Sequence, residues 1–128
     1  MCAVAGGFEM NLFSLINAYR RERGVKELAW SDSLFSLARA HTEEILDGHK
    51  PHYNFDARFE RATIWGFRLC AENISINVSP HPPPPFAVLE GWRRSPGHDA
   101  NLLRDLSHGA VAWGRKGDMH VVVFFACR

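Results

Sequence analysis

GAVAWGRKGDMHVVVFFA, residues Gly109 to Ala126, decides how the chain folds. Gly109–Trp113 and His120–Ala126 are short runs of valine, alanine and aromatic residues, the composition of strands. Between them Gly114, Arg115, Lys116, Gly117 and Asp118 supply the glycines and polar groups of a reversal, so the stretch reads as a terminal β-hairpin. Moving toward the N-terminus, Ala100, Leu102 and Leu103 form a short apolar set behind Ser95-Pro96-Gly97-His98, and Phe86, Leu89 and Trp92 form a helical one. Ser79–Pro85, SPHPPPP, lacks most ladder donors and reads as a surface polyproline II spacer. Leu69–Val78 is rich in Ile and Val and reads as a further strand, with Glu72 inside it.

The first half is helical. From Phe8, the residues Leu12, Leu15, Ile16 and Tyr19 recur at helical spacing, and Gly24 stops the run. Ser31 or Asp32 caps a second helix with Leu34, Leu37, Ala38, His41 and Ile45 on one stripe, ended by Asp47 and Gly48. His49–Ala62, HKPHYNFDARFERA, opens as a loop at Pro51 and Asn54, and Phe55, Phe59 and Ala62 allow two helical turns at most. Helices, a strand, more helix and a hairpin predict an α+β fold, a mainly antiparallel sheet covered by helices. No repeat or linker divides it, so residues 1–7 are expected as an N-terminal tail and 8–128 as a single domain.

Composition excludes several functions. Fifteen Lys and Arg balance 14 Asp and Glu, which removes the electrostatic case for nucleic acid. Nowhere do 18 apolar residues run together, so no transmembrane segment is expected, and Met1–Gly7 does not read as a signal peptide. HExxH, a Walker loop, GxSxG and GxGxxG are all missing, which takes away the usual support for zinc protease, nucleotide and serine hydrolase chemistry; no nucleotide or organic cofactor is expected. The three cysteines, Cys2, Cys70 and Cys127, allow one internal bridge at most. Cys70 and Cys127 lie in strand-like segments and can face each other, or can be unpaired core residues.

Several side chains invite chemistry. The Ser-Pro-Gly-His run puts Ser95 at a helix cap, accepting from free N–H groups, and His98 in the first turn, where the helix dipole favours a free imidazole lone pair. That lone pair can serve a metal or a proton donor, or His98 can simply close the turn. Glu72 stands among Cys70, Ala71, Ile74 and Ile76, so it is either buried and in need of a partner or on the wet face of an edge strand. His52 sits on a loop beside Tyr53 and Phe55 as a cleft candidate, and His41 on its apolar stripe is a core histidine or a ligand. His108 precedes the first hairpin strand, while His49, His81 and His120 have less to recommend them. Asn73-Ile-Ser75 and Asn77-Val-Ser79 match the N-glycosylation pattern.

Taken in order, these segments resemble the CAP superfamily, the sperm-coating, antigen and pathogenesis-related proteins, and especially its short bacterial-type SCP domains. Five stretches carry the likeness: the helix pair from Leu15 to Ile45, Pro51-His52, Ala71-Glu72-Asn73-Ile74, the block from Gly91 to Leu103, and the closing hairpin. The resemblance implies a three-layer α-β-α sandwich and an extracellular or cell-surface location, although the sequence leaves an intracellular member open. It also implies a cleft which, in larger members, holds a divalent cation on two histidines and two glutamates. His52 and Glu72 match the first histidine and glutamate, and His98 matches the histidine of the short members' SPGH block. The glutamate expected after the helix tryptophan is missing: Arg93, Arg94 and Ser95 follow Trp92, and Glu90 precedes it. His52, Glu72 and His98 are therefore the expected metal set for an ion such as Zn²⁺, with water as a fourth ligand; His41, Tyr53 and His108 are further cleft candidates. Three functions follow: a binding or interaction module for a cation, a lipid or sterol, or a protein partner; a structural His/Glu clamp; or a metal-assisted hydrolase in which Glu72 is ligand or general base. In the binding reading Tyr53, Phe55, Phe59 and Trp65 line an apolar groove.

Overall fold

The computed structural model describes residues 4–128. Its elements are α1 (Gly7–Glu22), β1 (Ala29–Trp30), α2 (Asp32–Leu46), α3 (Phe55–Ile64), β2 (Cys70–Val78), α4 (Pro85–Arg93), α5 (Pro96–Leu103), β3 (His108–Lys116) and β4 (Met119–Cys127). The four strands form one sheet in the order β1-β3-β4-β2.

The hairpin builds the centre. β3 and β4 pair antiparallel from His108↔Cys127 to Lys116↔Met119, so both strands run further than their apolar stretches and only Gly117 and Asp118 remain in the turn. Gly117 has φ 58°, a left-handed conformation that glycine adopts without a Cβ clash. β4 lies between β3 and β2 with both faces covered. Val122, Phe124 and Ala126 enter one apolar cluster with Leu12, Ile16, Trp92 and Leu102; Val121, Val123, Phe125 and Cys127 enter the other with Leu34, Phe35, Ala38 and Ile45. Burial on both faces explains why VVVFFAC is continuously apolar rather than alternating. The two clusters define an α-β-α sandwich, with α1, α4 and α5 on one face and α2 and α3 on the other.

Local chemistry sets the boundaries. The Gly6 amide donates to Glu9 Oε1 at 2.7 Å, so α1 starts at Gly7 instead of Phe8. Ser31, not Asp32, caps α2, its Oγ accepting from the Leu34 amide at 3.1 Å. α2 lies so close to β3 that a Cβ on Gly114 would come within 2.9 Å of Leu46 Cδ1. Pro85 is not part of the spacer; it sits at the start of α4, where its missing N–H leaves no bond unmade. β1 has no counterpart in the sequence reading. Its two residues pair parallel with His108 and Gly109 of β3, a run too short to show alternation.

Cys70 and Cys127 occupy opposed positions in the β2–β4 ladder and form a disulfide, with Cα atoms 4.0 Å apart. Cys2 lies outside the described residues.

Candidate functional site

The site lies where α2, the loop 48–54, α3 and β2 meet. Even-numbered residues of β2 face α2 and α3, which places Glu72 under these helices. β2 is an edge strand, yet the Glu72 side chain is only 1% exposed, and a carboxylate so deep must be paired. Its chief partner is a residue the sequence reading passed over. Arg58 of α3, with its side chain 6% exposed, grips the carboxylate with two prongs, Nε to Oε2 at 2.8 Å and Nη2 to Oε1 at 2.8 Å. Arg58 Nη1 reaches Glu44 Oε1 at 3.3 Å and also donates to the Tyr53 carbonyl. The signal was present: Phe55, Arg58 and Ala62 share one face of a short helix, and a charge on an apolar face calls for a buried counter-charge.

His41 is fully buried beneath this pair. Its Nδ1 lies 2.9 Å from Glu44 Oε1, and its Nε2 accepts the His52 backbone N–H at 2.9 Å. An acceptor at one ring nitrogen and a donor at the other describe a neutral imidazole protonated on Nδ1. Burial holds its pKa below the ordinary histidine value, against the opposing pull of Glu44.

His52 is held from two sides, by that backbone bond and by its ring, whose Nδ1–H donates to Glu72 Oε1 at 2.9 Å. It has φ 67°, and Asn54 has φ 60°, so two non-glycine residues of this loop are left-handed, which surrounding contacts must hold in place. The His52 side chain is 51% exposed, and its Nε2 makes no hydrogen bond among the described residues. A cavity of about 400 Å³ opens beside it, lined by Phe55, Cys70, Ala71, Glu72, Asn101 and Arg104. Asn101 stretches across the wall, its Nδ2 donating to Asn73 Oδ1 at 3.0 Å and its Oδ1 accepting from Arg104 Nη2 at 3.2 Å.

His52 and Glu72 therefore meet, with His41 directly behind them. His98 is not drawn into the expected metal set. Its Nδ1 lies 3.0 Å from Ser95 Oγ, which thus serves the ring and not the free helix N–H groups, and its carbonyl accepts from Asn73 Nδ2 at 3.0 Å. Asn73 is fully buried with its amide engaged on both sides, which removes it as a glycosylation acceptor. Tyr53 stacks on His49 with ring centroids 4.0 Å apart, and His108 Nδ1 lies 2.9 Å from Ser107 Oγ. Neither lines the cavity, and of the four aromatic groove candidates only Phe55 does.

Most of the donors that a divalent cation would need here are already engaged. Both Glu72 oxygens are taken by Arg58, His41 Nε2 by a backbone donor and His98 Nδ1 by Ser95 Oγ. Among the described residues no three His, Cys, Asp or Glu side chains gather as a metal-binding group.

Comparison with known proteins agrees with the architecture. The family model for CAP, the cysteine-rich secretory protein family, matches residues 13–128. Protein YkwD of Bacillus subtilis is 25% identical over 118 residues, covering 88% of this chain and 44% of that protein, so the chain spans less than half of that relative's length. An extracellular SCP-domain protein from Bacillus anthracis is 25% identical with a TM-score of 0.71, covering 92% of this chain and 40% of its own. An outer surface protein of Borrelia burgdorferi superposes over 100% of this chain and 98% of its own with a TM-score of 0.81 at 16% identity, a likeness of fold alone.

Proposed function

We propose that this chain, which belongs to the CAP or cysteine-rich secretory protein family, is a binding module for a small ligand with an apolar body and one polar end. The observation that carries this reading is the half-exposed His52 ring, fixed through Nδ1 on Glu72, with no hydrogen bond at Nε2 among the described residues, in the wall of a cavity of about 400 Å³. That volume falls in the range of small-molecule sites. Phe55, Ala71 and the Cys70 disulfide give the ligand an apolar wall; Asn101 and Arg104 give it polar partners. His52 Nε2 accepts from a ligand hydroxyl, and Arg104 donates to an oxygen. A lipid or sterol with a hydroxyl or carboxylate end has this character.

The buried network beneath is a clamp in the service of that cleft. Glu44, His41, Arg58 and Glu72 join α2, α3 and β2 and fix the ring that meets the ligand. Metal-assisted hydrolysis has no support from the donor set. An extracellular or surface setting is favoured by the disulfide and by relatives described as extracellular and outer surface proteins; among the described residues no helix is long and apolar enough to cross a membrane.

Amide spectra of the ¹⁵N-labelled chain, titrated with a panel of small apolar alcohols and carboxylates, test the reading. Binders are expected to shift Phe55, Ala71, Glu72, Asn101 and Arg104, and His52→Ala should weaken them while lowering stability by only about 1 kcal/mol, the loss of one hydrogen bond. A panel that leaves these amides unmoved, or moves them equally in His52→Ala, defeats the proposal.

A further inference from the structure

Two histidines and two glutamates do converge in this protein, and a cation lies among them, but the cation is a side chain. Glu72 and Glu44 flank the Arg58 guanidinium at 2.8 and 3.3 Å, His41 stands against both glutamates, and His52 closes the assembly over Glu72. We propose that Arg58 is the resident cation of this cleft, filling the space between the carboxylates and placing one fixed positive charge there, so that the site is metal-independent by construction.

Three features support the assignment. The contact with Glu72 is two-pronged, a planar fork on a planar carboxylate, which a surface arginine that had merely drifted inward would not achieve. The guanidinium stands between the buried Glu72 carboxylate and the part-exposed Glu44 carboxylate, so one positive group bridges two negative ones and leaves Glu44 to be screened by solvent. Finally, Arg58 belongs to the chain's own helix and cannot be titrated or chelated away at physiological pH. The site is thus complete whenever α3 is folded, whatever the metal supply. The cleft ligand is a separate matter; this inference stands or falls without it.

The test uses Zn²⁺ alone. Chelator-washed protein is titrated by calorimetry near pH 7.5, and its thermal midpoint is followed with and without the ion. The wild-type chain should show no one-to-one Zn²⁺ binding that His52→Ala or Glu72→Gln removes, and no rise in midpoint. Arg58→Ala, which leaves Glu72 and Glu44 facing an empty space, should bind Zn²⁺ at least about tenfold more tightly than wild type and gain midpoint on addition of the ion. Arg58→Lys keeps a charge in place and should fold and remain as insensitive to Zn²⁺ as wild type. One-to-one binding by the wild type that is lost in His52→Ala overturns the proposal. So does an Arg58→Ala chain that folds and binds no better than wild type, or stays unfolded with Zn²⁺ and without it. An Arg58→Lys chain that acquires the tighter site overturns it independently of how Arg58→Ala behaves.

Discussion

Two arginines are buried in this protein, and they are buried differently. Arg20 of α1 has no exposed surface and is surrounded by backbone: Nε donates to the Lys26 carbonyl at 2.7 Å, Nη1 to Leu102 at 2.7 Å and Arg104 at 2.9 Å, and Nη2 to Leu106 at 3.4 Å. It stops up the C-terminal end of α5, where carbonyls without helical partners welcome a cation. Arg58 is surrounded by carboxylates. The first arrangement satisfies dipoles and leaves nothing behind but structure; the second neutralises charges that could otherwise recruit an ion. A buried arginine is therefore informative through the company it keeps.

The comparison predicts unequal losses. Arg58→Met strands the buried Glu72 carboxylate without its chief partner and should cost about 3–5 kcal/mol, the usual penalty for breaking a buried pair from one side. Arg20→Met strands only neutral carbonyls, whose desolvation penalty is smaller than that of a carboxylate, and should cost less, about 2–3 kcal/mol. Urea unfolding of the two variants ranks them, and the reverse order would erase the distinction. Next in size is the coupling between partners. In a double-mutant cycle Arg58→Met with Glu72→Gln should recover about 1–3 kcal/mol relative to the sum of the single losses; an additive cycle would mean the fork adds no more than its separate desolvated ends.

The smallest effect sharpens the contrast through pH. His41, behind Arg58, has its folded-state pKa depressed by burial, so the unfolded chain takes up that proton first as pH falls below about 6.5. Its contribution to stability is complete above the unfolded value and is lost as pH falls toward the folded one. Stability of wild type should thus decline from pH 7 to 5 more steeply than that of His41→Gln. Equal slopes would show that His41 takes no part in that decline.

Much of this was legible in the sequence, and the gaps have physical causes. The stripe from Leu12 to Tyr19 and the one from Leu34 to Ile45 repeat long enough to fix helices, and His120–Ala126 read as a hairpin strand from its composition and the glycines before it, while its burial on both faces came only with the fold. β1 was not legible because two residues carry no period, and parallel pairing with β3 is a property of the folded chain alone. In the site, His52 and Glu72 could be named from their neighbours, whereas Arg58 hid in a polar-looking segment, DARFER, and only the fold shows that its face turns inward. His98 misled because a histidine in a first helical turn is equally suited to a ligand and to a nearby serine hydroxyl, and here Ser95 is the closer claim.

The disulfide has one more consequence. Joining Cys70 to Cys127, it closes β2, α4, α5, β3 and β4 into a covalent ring and leaves α1, α2 and α3 outside it. Glu72 belongs to the ring, while Glu44, His41, His52 and Arg58 belong to the open arm. A single cut between Ile64 and Cys70 would divide the molecule into two pieces, neither of which owns the cleft. The Arg58–Glu72 contact would form only when the two fragments find each other, which makes this chain a natural subject for split-protein reassembly.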